Sequence, residues 1–284
     1  MRLSKKRGLV CALILAFVLS LALPTFAYPA YELKPSVRGT GMGNAFTGVA
    51  QGDGSIFFNP AAIANLDSGD IGVVFGNQFG FYKYMGMLYS KPGLGFGVLS
   101  TKAELVTRGQ YGEPIGVEKV NEALGVISFG SSYGTEDELL MGANIKCYTE
   151  DVLGVRRNGL ALDLGVLLRL GEVSLGLSGM NLAGIVKEQG GVSEDLIPSF
   201  RFGVAIEPID DMLLAFDIAD KNIHYGGEYR RGCFAFQAGG MTTNVGNRYT
   251  CGVGVSLKNL EIRYSSSTHP TLDRTHIISG QFSF

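Results

Sequence analysis

Tryptophan is absent from this 284-residue chain, proline is scarce at 9 residues, and histidine is scarcer at 3. His224, His269 and His276 fall in separate late stretches without metal-ligand spacing, so the sequence indicates no metal site. Cysteine is nearly as rare. Cys11 lies in the opening apolar stretch, while Cys147, Cys233 and Cys251 are widely spaced, odd in number and free of any C-x-x-C pair. They suggest neither a disulfide framework nor a zinc site, and read most simply as small apolar residues. Long apolar runs are missing after the opening: none approaches the ~20 residues of a spanning helix, so any membrane crossing falls to strands. Excess positive charge is missing too. The chain carries 24 basic against 26 acidic residues, which gives no basic patch for nucleic acid and points to apolar or protein partners instead.

What is present begins with a basic run (Arg2, Lys5, Lys6, Arg7), an apolar stretch from Leu9 to about Leu23, and Pro24-Thr25-Phe26-Ala27. This is the pattern of a secretory signal peptide over 1–27, cleaved after Ala27. The alternative, an uncleaved anchor, would have to cross a ~30 Å hydrocarbon core with only ~15 apolar residues. Removing four basic residues leaves a net charge of about −6 on the rest. That remainder is rich in glycine (41 in the whole chain), phenylalanine (17) and tyrosine (12).

From Asp70 onward, apolar residues alternate with small or polar ones, the signature of strands with two different faces. The clearest case places Leu160, Leu162, Leu164, Val166, Leu168 and Leu170 on one face and Ala161, Asp163, Gly165, Leu167 and Arg169 on the other. The pattern predicts fourteen strands: 70–78, 81–90, 93–103, 122–134, 138–150, 157–170, 172–183, 198–208, 212–221, 222–231, 233–244, 247–257, 260–269 and 274–284. Every second connection is very short. The others include longer loops, expected at 104–121, 151–156, 184–197 and 269–273. An even number of strands, with short turns at one end and longer loops at the other, is the layout of a transmembrane antiparallel β-barrel, an all-β fold. A secreted sandwich or β-helix is the soluble alternative, but its wet face should carry Lys, Glu and Thr. Here that face is mostly Gly, Ala and Ser, with charges of both signs at Lys146, Asp163, Arg169, Arg201, Glu207, Asp217, Glu228, Arg230, Glu261 and Arg263. Small residues suit the inside of a barrel that houses something, and mixed charges can hold it there. Asp163, Arg169, Arg201, Asp217, Glu228 and Arg230 are the lumen charges singled out, with Arg201 and Asp217 expected to face each other across the turn at Ile209-Asp210.

The stretch from Arg38 to Leu66 breaks the alternation and reads as a plug over 28–69, ahead of a barrel over 70–284. Asn59-Pro60-Ala61-Ala62 is a helix start, with Asn as cap and Pro at the first position. A second short helix is expected over 43–51, with Ala45, Phe46 and Val49 on one side. Gly39, Gly41 and Gly43 do not make a dinucleotide fingerprint, because Asn44 stands where a further glycine would be needed and no strand precedes them. They instead let backbone pack closely in a crowded interior.

Gly41-Met42-Gly43, Ala45-Phe46-Thr47, Val49-Ala50, Asp53, Ser55, Asn59-Pro60-Ala61 and Ile63-Ala64 together resemble the amino-terminal signature of the FadL-like outer-membrane proteins. That group spans FadL, the aromatic hydrocarbon transporters and the PorV/PorQ branch linked to protein secretion. The resemblance implies a fourteen-stranded barrel in a bacterial outer membrane, its lumen closed by a partly helical hatch containing Asn59-Pro60-Ala61. The ending points the same way: Ile278, Phe282 and a terminal Phe284 share one face, which resembles the assembly signal of such barrels. The implied function is passive uptake of hydrophobic small molecules such as long-chain fatty acids. Phe46, Phe57 and Phe58 would touch the ligand, Gly39, Gly41 and Gly43 would act as hinges, and the ligand would leave laterally or into the periplasm. Family transporters are usually longer, with extended loops forming a greasy capture groove. The loops expected here offer little more than Leu105, Val106, Tyr111 and Ile115 in one and Ile185, Val186 and Val192 in the other. The alternative is therefore a PorV-like scaffold that binds a secreted or surface protein and moves no solute. No cofactor or enzyme signature is found: Ser265, Ser266 and Ser267 lie near His269 without a nucleophile elbow, and Glu136, Glu138, Asp210 and Asp211 sit in turns.

Overall fold

The computed structural model describes residues 33–49, 51–52, 54–108, 114–134, 137–152, 154–188, 190–191, 193–219 and 221–284. The expected signal peptide over 1–27, the first residues of the expected plug, Ala50, Asp53, Tyr111, Glu136 and Val192 lie outside the described residues.

The alternating residues form strands β1 (Asp70–Gln78), β2 (Tyr82–Lys91), β3 (Leu94–Arg108), β4 (Pro114–Tyr133), β5 (Asp137–Val152), β6 (Val155–Leu170), β7 (Val173–Glu188), β8 (Ser193–Asp195), β9 (Ser199–Ile209), β10 (Met212–Ala219), β11 (Asn222–Arg231), β12 (Phe234–Thr243), β13 (Gly246–Leu257), β14 (Leu260–Ser267) and β15 (Thr275–Ser283). All pairings are antiparallel; β15 returns to β1, and β7 passes to β9, while three-residue β8 hangs on the end of β7. Fourteen strands thus close a barrel, which removes the unpaired edges that an open sheet would expose.

The outer face is apolar. Phe75, Phe96, Phe216 and Phe236 are 43–52 % exposed on it, while Phe46 and Phe58 inside are 0 % exposed. A belt of this kind on all sides fits a hydrocarbon surround, because in water it would be an aggregation surface. Its height can be read from the register. Val98, Gly125, Cys147, Leu160 and Ile185 lie in one row across β3 to β7, and the next row outward along the strands is Ser100, Ala123, Thr149, Asn158 and Lys187. The apolar belt ends between the two.

That boundary explains where the expected loops depart from the structure. The loop at 104–121 is largely strand, with Glu104 opposite Lys119 and Leu105 opposite Glu118. The loop at 184–197 is partly strand, with Ile185 to Lys187 pairing with β8, and at 151–156 the ladder continues to Val152 opposite Val155. Beyond the membrane both faces meet water, so the apolar period stops while backbone hydrogen bonding continues. β3 to β7 therefore rise as a wall well above the remaining strands.

In the plug, α1 spans Val37–Gly41 and is capped by Ser36, whose Oγ accepts from the Gly39 N–H at 2.9 Å. It stops where Gly43 and Asn44 take positive φ values of 67° and 62°. The helix expected over 43–51 is therefore replaced by turns, since neither residue continues a right-handed helix. Two 3₁₀ turns follow, Ser55–Phe57 and Pro60–Asn65; Asn59 caps the second, its Oδ1 accepting from the Ala61 N–H at 3.1 Å, with Pro60 leading.

Candidate functional site

The plug lies inside the barrel and is held to its wall in three ways. The first is close contact at glycine. A Cβ on Gly176 would collide with the carbonyl of Thr47, and one on Gly142 with that of Pro60. Gly165 faces Asn59, and Gly226 faces Met42, in the same manner. On the plug side, Gly43 brings its backbone against the Tyr225 and Gly240 carbonyls, where a Cβ would sit 2.5 Å from each oxygen. The glycines of the inner face are thus a collar shaped to the plug, and Gly39 and Gly41, whose Cβ positions would fall 2.9 Å from Phe58 and Gln237, are contact points too.

The second is buried charge. Arg38 meets Glu228 on β11 through Nε and Nη2, and Glu228 also accepts from Arg230, Arg263 and Gln237. Asp217 Oδ2 on β10 accepts from the Phe46 and Thr47 backbone N–H groups at 3.0 and 2.9 Å, from Thr47 Oγ1 at 2.6 Å and from Arg201 at 3.1 Å. Arg201 reaches Asp217 across the β9–β10 hairpin and also donates to the Asn44 carbonyl. Such charges are tolerable in a low-dielectric interior only because each is paired and hydrogen-bonded. The third attachment is neutral. Asn59 Nδ2 donates to the carbonyls of Thr47 and Val166, Asn144 Nδ2 to that of Ile56, and Ser178 Oγ to that of Phe58. The fully buried charged attachments lie on β9 to β14, where Thr250 Oγ1 also donates to the Gly41 carbonyl, while those on β5 and β7 are neutral.

Asp163 serves the wall itself, pairing with Lys146 at 2.8 Å and accepting from the Asn181 N–H. Arg169 and Arg230 point inward but at the rim near the short turns, partly exposed, with Arg169 donating to Asn65 and Glu138. Phe46, Phe57 and Phe58 are buried in the plug. Phe46 packs edge-on against Phe58 with ring centroids 5.3 Å apart, and the Arg38 and Arg201 guanidinium groups lie over Phe46 and Phe58 at 5.5 and 5.4 Å. Contact between these rings and a ligand requires the plug to move.

Toward the long-strand end the inner face changes character. Val74, Gly86, Leu99, Leu124, Tyr148, Gly159 and Val186 lie in one row across β1 to β7. Its large members are buried, and Leu33 of the plug shares a small cavity with Leu99, Leu124, Tyr148 and Glu122. The row directly above is polar: Tyr84, Thr101, Glu122, Glu150, Arg157 and Glu188. On the outer face of the same wall, an open trough of about 720 Å³ has Gly125, Cys147 and Thr149 among its lining residues, with Val98, Leu160 and Ile185 beside them. The inner row was not foreseen from sequence. A usable signal existed in β4, where Ala123-Leu124-Gly125-Val126-Ile127 is small or apolar on both faces.

The closed fourteen-strand antiparallel barrel matches the fold of FadL-type barrels. No protein-family profile and no curated protein matches the chain. Solved structures that share the fold include the CymD monoaromatic hydrocarbon channel, at TM-score 0.64 and 12 % identity over 91 % of this chain and 99 % of that one. They also include the Pseudomonas putida toluene transporter TodX (TM-score 0.60, 12 % identity, 90 % and 99 % covered) and a Pseudomonas aeruginosa FadL homologue (0.56, 10 %, 88 % and 98 %). At these identities the likeness is one of fold.

Proposed function

We propose that this barrel takes up hydrophobic small molecules passively across a bacterial outer membrane. The observation that carries the reading is the apolar inner row Leu99, Leu124, Tyr148 and Val186 above the hatch, partly covered by Leu33. A ligand replacing Leu33 on this row would be enclosed by aliphatic and aromatic surface, the lining that apolar-ligand sites require. The groove expected from loops is supplied instead by strand faces, so a chain with short loops can still bind. From there the compound passes either down past the neutral attachments near Asn59-Pro60-Ala61, bringing Phe57 and Phe58 into contact, or sideways through the wall toward the outer trough. Monoaromatic compounds fit the named activities of CymD and TodX, and long-chain fatty acids are the other class to try. Titration of refolded protein with alkylbenzenes and long-chain fatty acids tests the proposal: saturable binding of either class supports it, and binding of neither sinks it.

A scaffold role is favoured by one feature, the buried charges that pin the hatch on β9 to β14. Pull-down from outer membranes decides this, since a stoichiometric protein partner combined with no apolar binding is the scaffold's signature.

A further inference from the structure

Glu122 is 8 % exposed and belongs to the cavity shared by Leu33, Leu99, Leu124 and Tyr148. Both of its hydrogen-bond donors, the Tyr82 hydroxyl and Thr101 Oγ1, go to the same oxygen, Oε2. Among the described residues no donor reaches Oε1. Oε1 is not sealed off, so beside an apolar row it offers an acceptor that a ligand's donor can reach. Its neighbours reinforce the sign. Glu150 stands opposite Glu122 in the register with an unpartnered Oε2 of its own, and the next cation along the row, Arg157, is paired with Glu188. Two rows below, the cation Lys146 is held by Asp163 and Asn181.

We infer that Glu122 sets the class of compound this site accepts: apolar molecules whose polar end donates a hydrogen bond, as hydrophobic amines and alcohols do, in preference to carboxylates. The inference rests on the uptake reading, because it assumes that the apolar end takes the place of Leu33. With the chain on Leu99 and Leu124, the polar end falls at Oε1. An ammonium or hydroxyl group satisfies that oxygen there, whereas a carboxylate brings like charge into a site with no free cation beside it among the described residues. Glu122 is thus a specificity-determining residue that touches the ligand's polar end.

The test compares decylamine, decanol and decanoate, equal in chain length, by calorimetric titration of the full-length barrel in zwitterionic nanodiscs at about pH 8, where amine and carboxylate are both charged. The amine and the alcohol are expected to bind at least about ten-fold more tightly than decanoate, and Glu122→Gln is expected to shrink the amine-to-decanoate ratio several-fold. Heat-modifiable gel migration confirms that the variant folds, and the wild-type comparison decides the matter without it. Equal affinity of wild type for decylamine and decanoate overturns the inference and leaves uptake standing. Failure of all three, and of butylbenzene as well, overturns the uptake reading itself.

Discussion

Arg38 on the hatch and Glu228 on β11, 190 residues apart in sequence, meet in a two-pronged ion pair, Nε to Oε2 at 2.9 Å and Nη2 to Oε1 at 2.8 Å. Both side chains are buried, at 5 % and 1 % exposure, so the pair ties plug to wall where water cannot substitute for either partner. Replacing Arg38 by Met leaves Glu228 with Arg230, Arg263 and Gln237 and is expected to cost about 3 kcal/mol. The check is the temperature at which heat-modifiable migration is lost, which should fall. The double variant Arg38→Met with Glu228→Met should recover little of that loss, because removing Glu228 also takes the acceptor from buried Arg263 and Gln237.

Asp217→Asn should be worse than its near-isosteric shape suggests. Oδ2 gathers three donors from Phe46 and Thr47 and one from Arg201 while Oδ1 accepts from none, so an amide oxygen can take over the hydrogen bonds but not the charge that balances the guanidinium. A loss of about 3–5 kcal/mol is expected. Protease cleavage within 44–52 should accelerate, while the barrel strands stay protected.

The glycine collar makes a steric prediction. Gly176→Ala places a methyl group against the Thr47 carbonyl and should push the hatch off the wall, raising the resting conductance in planar bilayers. Gly280→Ala, where a Cβ meets nothing within 4 Å, should leave conductance unchanged and stability within about 0.5 kcal/mol. Equal effects of the two would show that the collar does not position the hatch.

The membrane strands were legible because lipid on one side and a plug on the other enforce a period of two, as the Leu160 to Leu170 face demonstrates. Asn59-Pro60 was legible because cap chemistry is local. What escaped was non-local or lay outside the belt. Nothing local marks Arg38 as the partner of Glu228, since only closure of the barrel and threading of the plug bring them together. The ladder from Glu104 to Asn121 was read as loop because its residues lose apolar alternation once above the membrane. Turns replaced the helix over 43–51 because Gly43 and Asn44 take the left-handed conformation that close contact with Gly240 demands, a tertiary cause invisible in helix propensity.

The connection from β14 to β15 should respond to pH. His269 Nδ1 accepts from the Thr271 and Leu272 N–H groups at 3.2 and 3.0 Å, and burial, aided by the Arg248 charge, holds its imidazole below the ordinary 6.5. A lowered value means that the unfolded segment takes up the proton first. The contribution of His269 is therefore complete above 6.5 and fades as the pH falls below it. Hydrogen exchange in 268–274, corrected for intrinsic rates, should quicken on acidification, and His269→Asn should remove most of that pH dependence.

The most direct test of passive hydrophobic uptake is transport of labelled butylbenzene into cells producing the wild-type barrel, the Leu124→Glu variant or no barrel. Leu124 lies at the centre of the apolar inner row, where a charge would spoil the lining without touching the hatch anchors. The account predicts saturable uptake with the wild type that falls at least about ten-fold in Leu124→Glu, with both proteins folded in the outer membrane. Uptake by wild-type cells equal to that of cells without the barrel would contradict it.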